Sequence, residues 1–272
     1  MALNFLVIGG GRLGQSISTT FQLMDIESSI LNKSSRWLTS QEDPKLVDLL
    51  ANVDVIVWTA RDAGLPLNPH NSEDLWVRFQ DVIQKTSWKG KFVFMSSAGS
   101  VYGENFGEPH SESSTPNPLD NYGSLKLYHE TQLLINSHES GFIPLILRLS
   151  NLFSLTPSDP GIIGATLKSM ETKEPFKLIW GYQTRDFIHI DEVSKLTLEL
   201  LKSNASGVFN VASGFSTSIL DLIGQLENIY NQKSYYTIEE GFPVVRYSKI
   251  SIEKLVSQIK RYPRTLSNTL FE

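Results

Sequence analysis

The chain contains no cysteine, which excludes disulfide bonds, thiolate metal ligands and thiol nucleophiles. Its five histidines are scattered and show no metal-ligand spacing such as HExxH, so we expect no metal centre. Neither sign of charge dominates, because 24 basic residues stand against 29 acidic residues, a net charge of -5. This balance disfavours nucleic acid and anionic membranes as partners.

A long hydrophobic run is missing at the N-terminus. The opening stretch MALNFLVIGG has no basic segment, and its apolar part is too short for a signal peptide or a membrane span. We therefore interpret it as the first strand of the fold and expect a cytoplasmic protein. Hydrophobic residues make up 40% of the 272 positions, enough to bury one large core or a core with a smaller lobe.

Short apolar runs alternate with helical patterns through the first half of the chain, which is typical of a parallel sheet covered on both faces. The predicted order is FLVIG, a helix over 12–24, SSIL, a helix over 44–51, VDVIVWTA, a helix over 72–85, KFVFMSS, a helix over 122–137 and PLILRLS. We expect a Rossmann-type doubly wound α/β domain over 1–158. A smaller substrate-binding lobe is expected over 159–272, with helices near 162–172, 191–202 and 218–230, the strand GVFNVAS, and some elements that return to the main sheet.

Three glycines follow the first strand directly, in VIGGGRLG. Gly9, Gly11 and Gly14 have the spacing GxGxxG, and a helical pattern begins at once. Glycine at these points allows a tight turn and close approach of the backbone to a pyrophosphate, which the N–H groups of the helix then bind. The loop therefore predicts a dinucleotide site, with a glycine-rich turn without ligand as the alternative.

The residues after the second strand bear on the choice of dinucleotide. About 20 residues after the glycines, an NAD-binding fold places a carboxylate on the ribose 2′-hydroxyl. Here the chain reads Asn32, Lys33, Ser34, Ser35 and Arg36, with two cations and no acid. Cations suit a 2′-phosphate, so we expect NADP(H), with NAD(H) as the alternative. The alternative interpretation is that these residues form a basic loop exposed to solvent that binds no cofactor.

Two further stretches carry groups capable of proton exchange. In DNYGSLKLYHE, Tyr122 and Lys126 are four residues apart and share one helix face, where an ammonium favours the phenolate. This spacing alone is weak, because it is common by chance. In FVFMSSAGSVYG, an apolar strand ends in Ser96, Ser97 and Ser100. Strand alternation directs Ser96 to the opposite face from Ser97, so we expect Ser96 to be structural.

Taken together, these features resemble the extended short-chain dehydrogenase/reductases, and most closely the nucleotide-sugar epimerase/dehydratase family. The resemblance covers nearly the whole chain, through IVWTA, SVYG, SLKLYHE, LRLSNLF, RDFIHIDEV and GVFNVASG in the family's order. It implies that Tyr122 is the catalytic acid/base and that Lys126 binds the nicotinamide ribose. The implied cofactor-binding residues are Gly9, Gly11, Arg12, Leu13, Gly14, Asn32, Lys33, Arg36, Ala60, Tyr122 and Lys126.

The resemblance also implies a hydroxyl residue that contacts the substrate beside the tyrosine. Aligned on VYG, that position falls on Ala98, so either Ser97 or Ser100 must act instead. We expect Ser97 to be catalytic and to bind substrate, with Ser100 as the second candidate. The family's acidic pair for dehydration is replaced here by Gly99 and Ser100, which disfavours loss of water.

In the smaller lobe, Asn151 and Arg185 match positions that bind the nucleotide diphosphate in the family, where guanidinium offers a bidentate fit. The alternatives are a turn hydrogen bond for Asn151 and an ion pair with Asp186 or Asp191 for Arg185. We expect His189 to be structural. By position alone, Arg246 could reach the phosphates.

These features lead to an expected reaction. We expect NADPH-dependent reduction of a nucleotide-activated keto-sugar, with a 4-keto-6-deoxy sugar as substrate. The alternatives are an NAD-dependent nucleotide-sugar 4-epimerase and, from another class, a non-catalytic protein that senses NADP(H). Epimerisation at C3 and C5 is disfavoured because that family chemistry uses a cysteine. The resemblance also allows a homodimer through helices that flank the sheet.

Overall fold

The computed structural model describes residues 3–32, 44–60 and 75–270. Its strands are β1 (Phe5–Ile8), β2 (Ser28–Leu31), β3 (Val55–Trp58), β4 (Lys91–Ser97), β5 (Ile143–Leu149), β6 (Asn151–Phe153), β7 (Phe176–Ile179), β8 (Thr184–His189), β9 (Gly207–Val211), β10 (Ser216–Ser218) and β11 (Tyr236–Glu239). Its helices are α1 (Arg12–Gln22), α2 (Pro44–Leu50), α3 (Leu75–Thr86), α4 (Ala98–Tyr102), α5 (Asn121–Ser140), α6 (Ile162–Thr172), α7 (Ile190–Lys202), α8 (Ile219–Tyr230), α9 (Glu253–Ile259) and α10 (Leu266–Leu270).

The main sheet has six parallel strands in the order β2-β1-β3-β4-β5-β9. Residues of β1 and β3 are buried throughout, because α1, α7 and α9 cover one face of the sheet while α2, α3 and α5 cover the other. The strand order reverses direction at β1, with β2 on one side and β3 on the other. A ligand crevice is expected at the carboxyl ends of strands around such a switch point. The predicted Rossmann-type architecture is therefore confirmed.

The second half of the chain contributes to both lobes. Some of its elements belong to the main sheet: β9 pairs with β5, and α7 packs against α1. The smaller lobe contains the sheet β10-β8-β6 and the pair β11-β7, with α6 and α8 around a separate core. Within the described ranges, no helix is long and apolar enough to cross a membrane, and no group of three or more candidate ligands is placed for a metal ion.

The ends of two helices differ from the sequence expectation by two or three residues, and three short helices, α4, α9 and α10, were not expected. Helix α1 stops at Gln22 rather than 24, because the chain turns and Asp25 adopts a left-handed φ of 56°. Helix α5 continues to Ser140, three residues further than expected, and ends at Gly141 with φ 79°. The short helix α4 follows β4 without a loop, where the sequence only shows the strand ending.

Candidate active site

The glycine loop joins β1 to α1 at the switch point of the sheet. A Cβ on Gly14 would lie 1.9 Å from the carbonyl oxygen of Gly9, and Gly9 itself has φ 114° and lies against Ala60. These two positions therefore need glycine for packing. Among the described residues, a Cβ on Gly11 would meet no atom within 4 Å, and no side-chain hydrogen bond caps the N-terminus of α1. Open space in front of the first N–H groups of the helix fits the diphosphate of a dinucleotide.

The other expected cofactor residues have varied surroundings. Arg12 donates from Nη1 to the Asp159 carboxylate at 2.5 Å and to Ser154 Oγ at 3.1 Å, so its side chain is turned towards the smaller lobe. Leu13 packs against the core beneath the sheet. Asn32 is exposed where β2 ends, close to the glycine loop. Lys33 and Arg36 lie outside the described residues.

Tyr122 and Lys126 meet at the start of α5, as the predicted helix face requires. The Asp120 side chain caps this helix by accepting the Gly123 N–H at 2.6 Å. Tyr122 is 37% exposed, whereas Lys126 is 7% exposed, with Nζ 5.8 Å from the centre of the Tyr122 ring. The Lys126 ammonium also donates to the Met95 carbonyl at 3.0 Å, which holds it between α5 and β4. A buried cation thus lies beside an accessible phenol.

The serines of β4 point in different directions. Ser96 is buried and donates to Glu130 Oε1 at 2.5 Å, the structural environment that strand alternation predicts. Ser97 ends the strand and, with Ser100, lines a cavity of about 180 Å³. Ala98, where the family has its hydroxyl, is fully buried in a small apolar cluster. The hydroxyl groups open to this cavity therefore lie on either side of the family position.

A buried polar network supports this end of the sheet. Arg148 donates from Nη2 to Glu130 at 2.6 Å and from Nε to both carboxylate oxygens at 3.1 Å. The Arg148 guanidinium also lies 4.8 Å from the centre of the Tyr102 ring, and the Tyr102 hydroxyl donates to Asn210 at 2.8 Å. The network joins α4, α5, β4, β5 and β9 beneath the serines. The sequence signal for it was a charged residue inside the apolar run LILRLS.

The cavity beside the serines lies between the two lobes, at the carboxyl ends of β4 and β5. Its lining residues are Ser97, Gly99, Ser100, Asp120, Leu149, Ser150, Asn151, Arg185, Val244, Val245 and Ser248. Serine hydroxyls, an amide, a carboxylate and a guanidinium together provide both donors and acceptors. Such a lining suits a polyhydroxylated ligand with a negatively charged group.

Four of these residues were expected from the sequence to bind substrate, and two of them, Asn151 and Arg185, contact backbone. Arg185 donates to the carbonyl oxygens of Thr184 at 2.8 Å and Val245 at 2.6 Å. Within the described residues Arg185 forms no ion pair with Asp186 or Asp191, the alternatives considered from the sequence. Burial lowers the pKa of Arg185, an effect that the charge of Glu104 opposes.

The Asn151 amide donates to the carbonyl oxygen of Asp186 at 3.1 Å, so it joins β6 to β8 instead of closing a local turn. Asp186 is fully buried and accepts the Ser213 N–H at 2.8 Å, and burial raises its pKa to about 6. His189 caps α7 by accepting the Asp191 N–H at 3.3 Å, a structural use in keeping with the sequence expectation.

Sequence reasoning missed several residues that form or support the cavity. Asp120 carries a usable signal, because an aspartate directly before a helical pattern is a typical N-cap. Ser150 and Ser248 line the cavity without any local motif. Glu104 lies outside the lining but binds a segment that contributes to it. These last residues become visible only through contacts between distant parts of the chain.

Comparison with known proteins agrees with the fold and the motifs. A family model described as the NAD dependent epimerase/dehydratase family matches residues 21–212. The crystal structure of a Thermus thermophilus UDP-glucose 4-epimerase in complex with NAD superposes with a TM-score of 0.84 at 18% identity, over 98% of this chain and 96% of that one. At this identity the likeness shows the fold alone.

Two curated proteins match over shorter segments. A provisionally named UDP-glucose 4-epimerase of Methanocaldococcus jannaschii is 34% identical over 48% of this chain and 44% of its own length. A dTDP-4-dehydro-6-deoxy-D-allose reductase of Streptomyces bikiniensis is 25% identical over 54% of this chain and 47% of its own length. This chain thus spans about half the length of the curated relatives it matches. The family match confirms the expectation from the motifs: the chain belongs to the NAD dependent epimerase/dehydratase family, a group of extended short-chain dehydrogenase/reductase type.

Proposed function

We propose that the protein is an NAD-dependent nucleotide-sugar 4-epimerase, which oxidises and then reduces the same sugar carbon. The observation that carries the proposal is the accessible Tyr122 beside the buried Lys126 ammonium, next to a hydroxyl-lined cavity that includes Ser97. Two of the relatives described above are named as UDP-glucose 4-epimerases, and one of them contains NAD. For this reason the 4-epimerase is placed ahead of the keto-sugar reductase that the sequence first favoured.

The residues have separate tasks in this reaction. Tyr122 takes the proton from the sugar 4-hydroxyl and later returns it to the 4-keto oxygen. The Lys126 ammonium favours the phenolate, because a charge inside the protein acts more strongly than the same charge in water. Ser97 donates a hydrogen bond to the oxygen at C4 and orients it. The glycine loop would hold the diphosphate of NAD and Lys126 its ribose, and NAD when bound would supply the hydride exchange at C4.

The rest of the substrate is expected to occupy the cavity between the lobes. Arg185 and Asn151 line it, and a guanidinium and an amide suit the diphosphate. Ser100 and Asp120 also line it and provide partners for sugar hydroxyl groups. Because Gly99 and Ser100 replace the acidic pair used in dehydration, elimination of water from the sugar is disfavoured.

The decisive test is conversion of UDP-glucose or UDP-galactose by the purified protein without added cofactor. We expect the other C4 epimer to form, measured by chromatography, with no net change in absorbance at the wavelength of reduced nicotinamide. An epimerase regenerates its cofactor, so NAD is expected to accompany the purified protein in about stoichiometric amount. If neither substrate is converted and the purified protein contains no NAD, the proposal of a 4-epimerase is wrong.

A second candidate is the NADPH-dependent keto-sugar reductase, which the residues after β2 favour. The sequence after β2 contains Asn32, Lys33 and Arg36, two cations and no acid, at the distance from the glycines at which the family contact to the ribose 2′-group is expected. The Streptomyces bikiniensis relative is named as a reductase of a nucleotide-linked keto-sugar. A reductase consumes its cofactor, so oxidation of NADPH on addition of dTDP-4-keto-6-deoxyglucose distinguishes it from the epimerase.

The cofactor preference can be measured directly. If the cations touch a 2′-phosphate, changing both Lys33 and Arg36 to Ala weakens NADPH binding about 10- to 150-fold, since a charge-assisted hydrogen bond contributes about 1.5–3 kcal/mol. NADH binding serves as the control and is expected to change little. Equal weakening of NADPH and NADH binding in the variant, or equal affinities of the wild type for the two, contradicts a 2′-phosphate site. Either result favours the NAD-dependent epimerase.

Ser97→Ala is expected to lower kcat more than Ser100→Ala, about tenfold or more against a few-fold, because one hydroxyl at most can reach both the C4 oxygen and Tyr122. Both serines line the same cavity, so each variant controls for the other. Steady-state kinetics with UDP-glucose give the comparison. A larger loss at Ser100 reverses the assignment. It would show that the hydroxyl residue lies after Ala98, the position that aligns with the family's hydroxyl, and not before it.

A further inference from the structure

Glu104 follows the short helix α4 and binds a distant segment of backbone. Its carboxylate accepts the Arg246 N–H at 2.9 Å and the Tyr247 N–H at 2.6 Å, and the Arg246 guanidinium lies 3.4 Å away. The Glu104 side chain is only 12% exposed. Burial raises the pKa of Glu104, but the two N–H groups and the guanidinium outweigh burial and lower it. Glu104 is therefore charged at neutral pH.

The segment that Glu104 binds forms a wall of the cavity. Val244, Val245 and Ser248 all line it. The same segment reaches Arg185, whose Nη2 donates to the Val245 carbonyl at 2.6 Å, while the Thr184 N–H donates to the Arg246 carbonyl at 2.9 Å. One carboxylate thus connects the serine-bearing end of β4 to the wall and, through the wall, to a cation in the cavity.

Other contacts hold this segment at its far end, in addition to the carbonyl contacts of Val245 and Arg246 with Arg185 and Thr184. The Ser216 hydroxyl donates to the Ser248 carbonyl at 2.5 Å, and the Asn105 N–H donates to the Tyr247 carbonyl at 3.1 Å. The N–H groups of Arg246 and Tyr247 are directed at Glu104. Backbone donors that lose a buried acceptor must find another partner or move towards water. Loss of the Glu104 charge is therefore expected to loosen the part of the wall next to Arg185, which would still be held by the carbonyl contacts from Arg185 and Thr184.

We propose that Glu104 is a positioning residue for substrate binding, which holds the wall 244–248 and Arg185 in the arrangement that receives the nucleotide diphosphate. The inference rests on the proposed nucleotide-sugar function. It goes beyond that function, because Glu104 touches neither the reacting carbon nor the cofactor loop. Glu104 acts through the wall, so its removal affects substrate affinity and spares the chemical step at Tyr122.

The chain offers a matched control in Glu227. This residue is 13% exposed, accepts the Ser234 N–H at 2.9 Å and pairs with Lys233 at 2.7 Å, but it lines neither cavity next to Arg185. Glu227→Gln and Glu104→Gln therefore remove the same kind of contact, a carboxylate that accepts a backbone N–H and pairs with a nearby cation. Comparison of the two variants separates a general effect of losing such a carboxylate from an effect on the cavity.

The experiment measures KM and kcat for UDP-glucose and the binding of UDP and dTDP by calorimetry. For Glu104→Gln we expect KM and the nucleotide dissociation constant to rise about tenfold, as for a lost charged hydrogen bond. We expect kcat to change less than about threefold, and NAD affinity and the Glu227→Gln variant to match the wild type. Faster amide exchange at Arg246 and Tyr247 would accompany the change.

The outcomes separate this inference from the proposed function. Wild-type protein that binds a nucleotide but converts no sugar overturns the epimerase alone, and weaker nucleotide binding by Glu104→Gln still supports the positioning role. Unchanged KM and unchanged nucleotide affinity in Glu104→Gln overturn the positioning role, as does a parallel loss of kcat, NAD affinity and substrate affinity. Wild-type protein that binds neither UDP nor dTDP overturns both.

Discussion

Replacing Tyr122 with Phe is expected to lower kcat about 10²- to 10⁴-fold, the range for removal of a positioned proton donor. The ring is kept, and the side chain is 37% exposed at the start of α5, so the melting temperature should shift little. The expected loss is in kcat because the proton transfer occurs in the chemical step, while binding of the nucleotide is made elsewhere in the cavity. Steady-state kinetics with UDP-glucose and a thermal unfolding curve provide the two measurements.

Tyr128 provides the control for this substitution. It lies on the same helix, is half-buried, and has its ring 5.8 Å from His129 rather than beside the cavity. Tyr128→Phe should retain kcat within about twofold. Activity of Tyr122→Phe within a few-fold of the wild type would show that another group is the acid/base, and equal losses in the two variants would point to a structural effect of the helix.

Replacing Glu130 with Gln is expected to lower the free energy of unfolding by about 3–5 kcal/mol, the range for breaking a buried ion pair. The loss leaves the buried Arg148 guanidinium without its anion, and it also changes the acceptor of Ser96. The unpaired Arg148 charge is costly only in the folded state, because in the unfolded chain it is solvated by water. The shift in the midpoint of urea unfolding measures the effect, provided that the slope of the free energy of unfolding against urea concentration is the same in variant and wild type.

The ion pair between Lys177 and Glu239 is the matched control, with an Nζ to Oε1 distance of 2.7 Å but side chains that are 77% and 43% exposed. Glu239→Gln should change the free energy of unfolding by less than about 1 kcal/mol, since water and salt screen an exposed pair. Similar midpoints for Glu130→Gln and Glu239→Gln would contradict the structural role assigned to the buried network.

The features that the sequence determined depend on short spacings. The parallel sheet follows from buried apolar runs alternating with helical patterns, because each run must be covered on both faces. Gly9, Gly11 and Gly14 predict a dinucleotide loop because the tight turn and the start of the helix are set within a few residues. Tyr122 and Lys126 meet because positions four apart share a helix face. All these relations are local, so the order of residues is enough to reveal them.

The tertiary structure decided what depends on residues far apart in the chain. Ser96 is buried because Glu130, 34 residues away, accepts its hydrogen bond, which leaves Ser97 to line the cavity. Glu104 binds Arg246 from a separation of 142 residues, and no local pattern marks either partner. A buried polar group must find a partner wherever the fold brings one, and that partner is fixed by packing rather than by spacing. For this protein, the sequence therefore determined the family, the glycine loop and the meeting of Tyr122 and Lys126, whereas the burial of Ser96, the wall of the cavity and the contacts of Arg185 were decided by packing between distant parts of the chain.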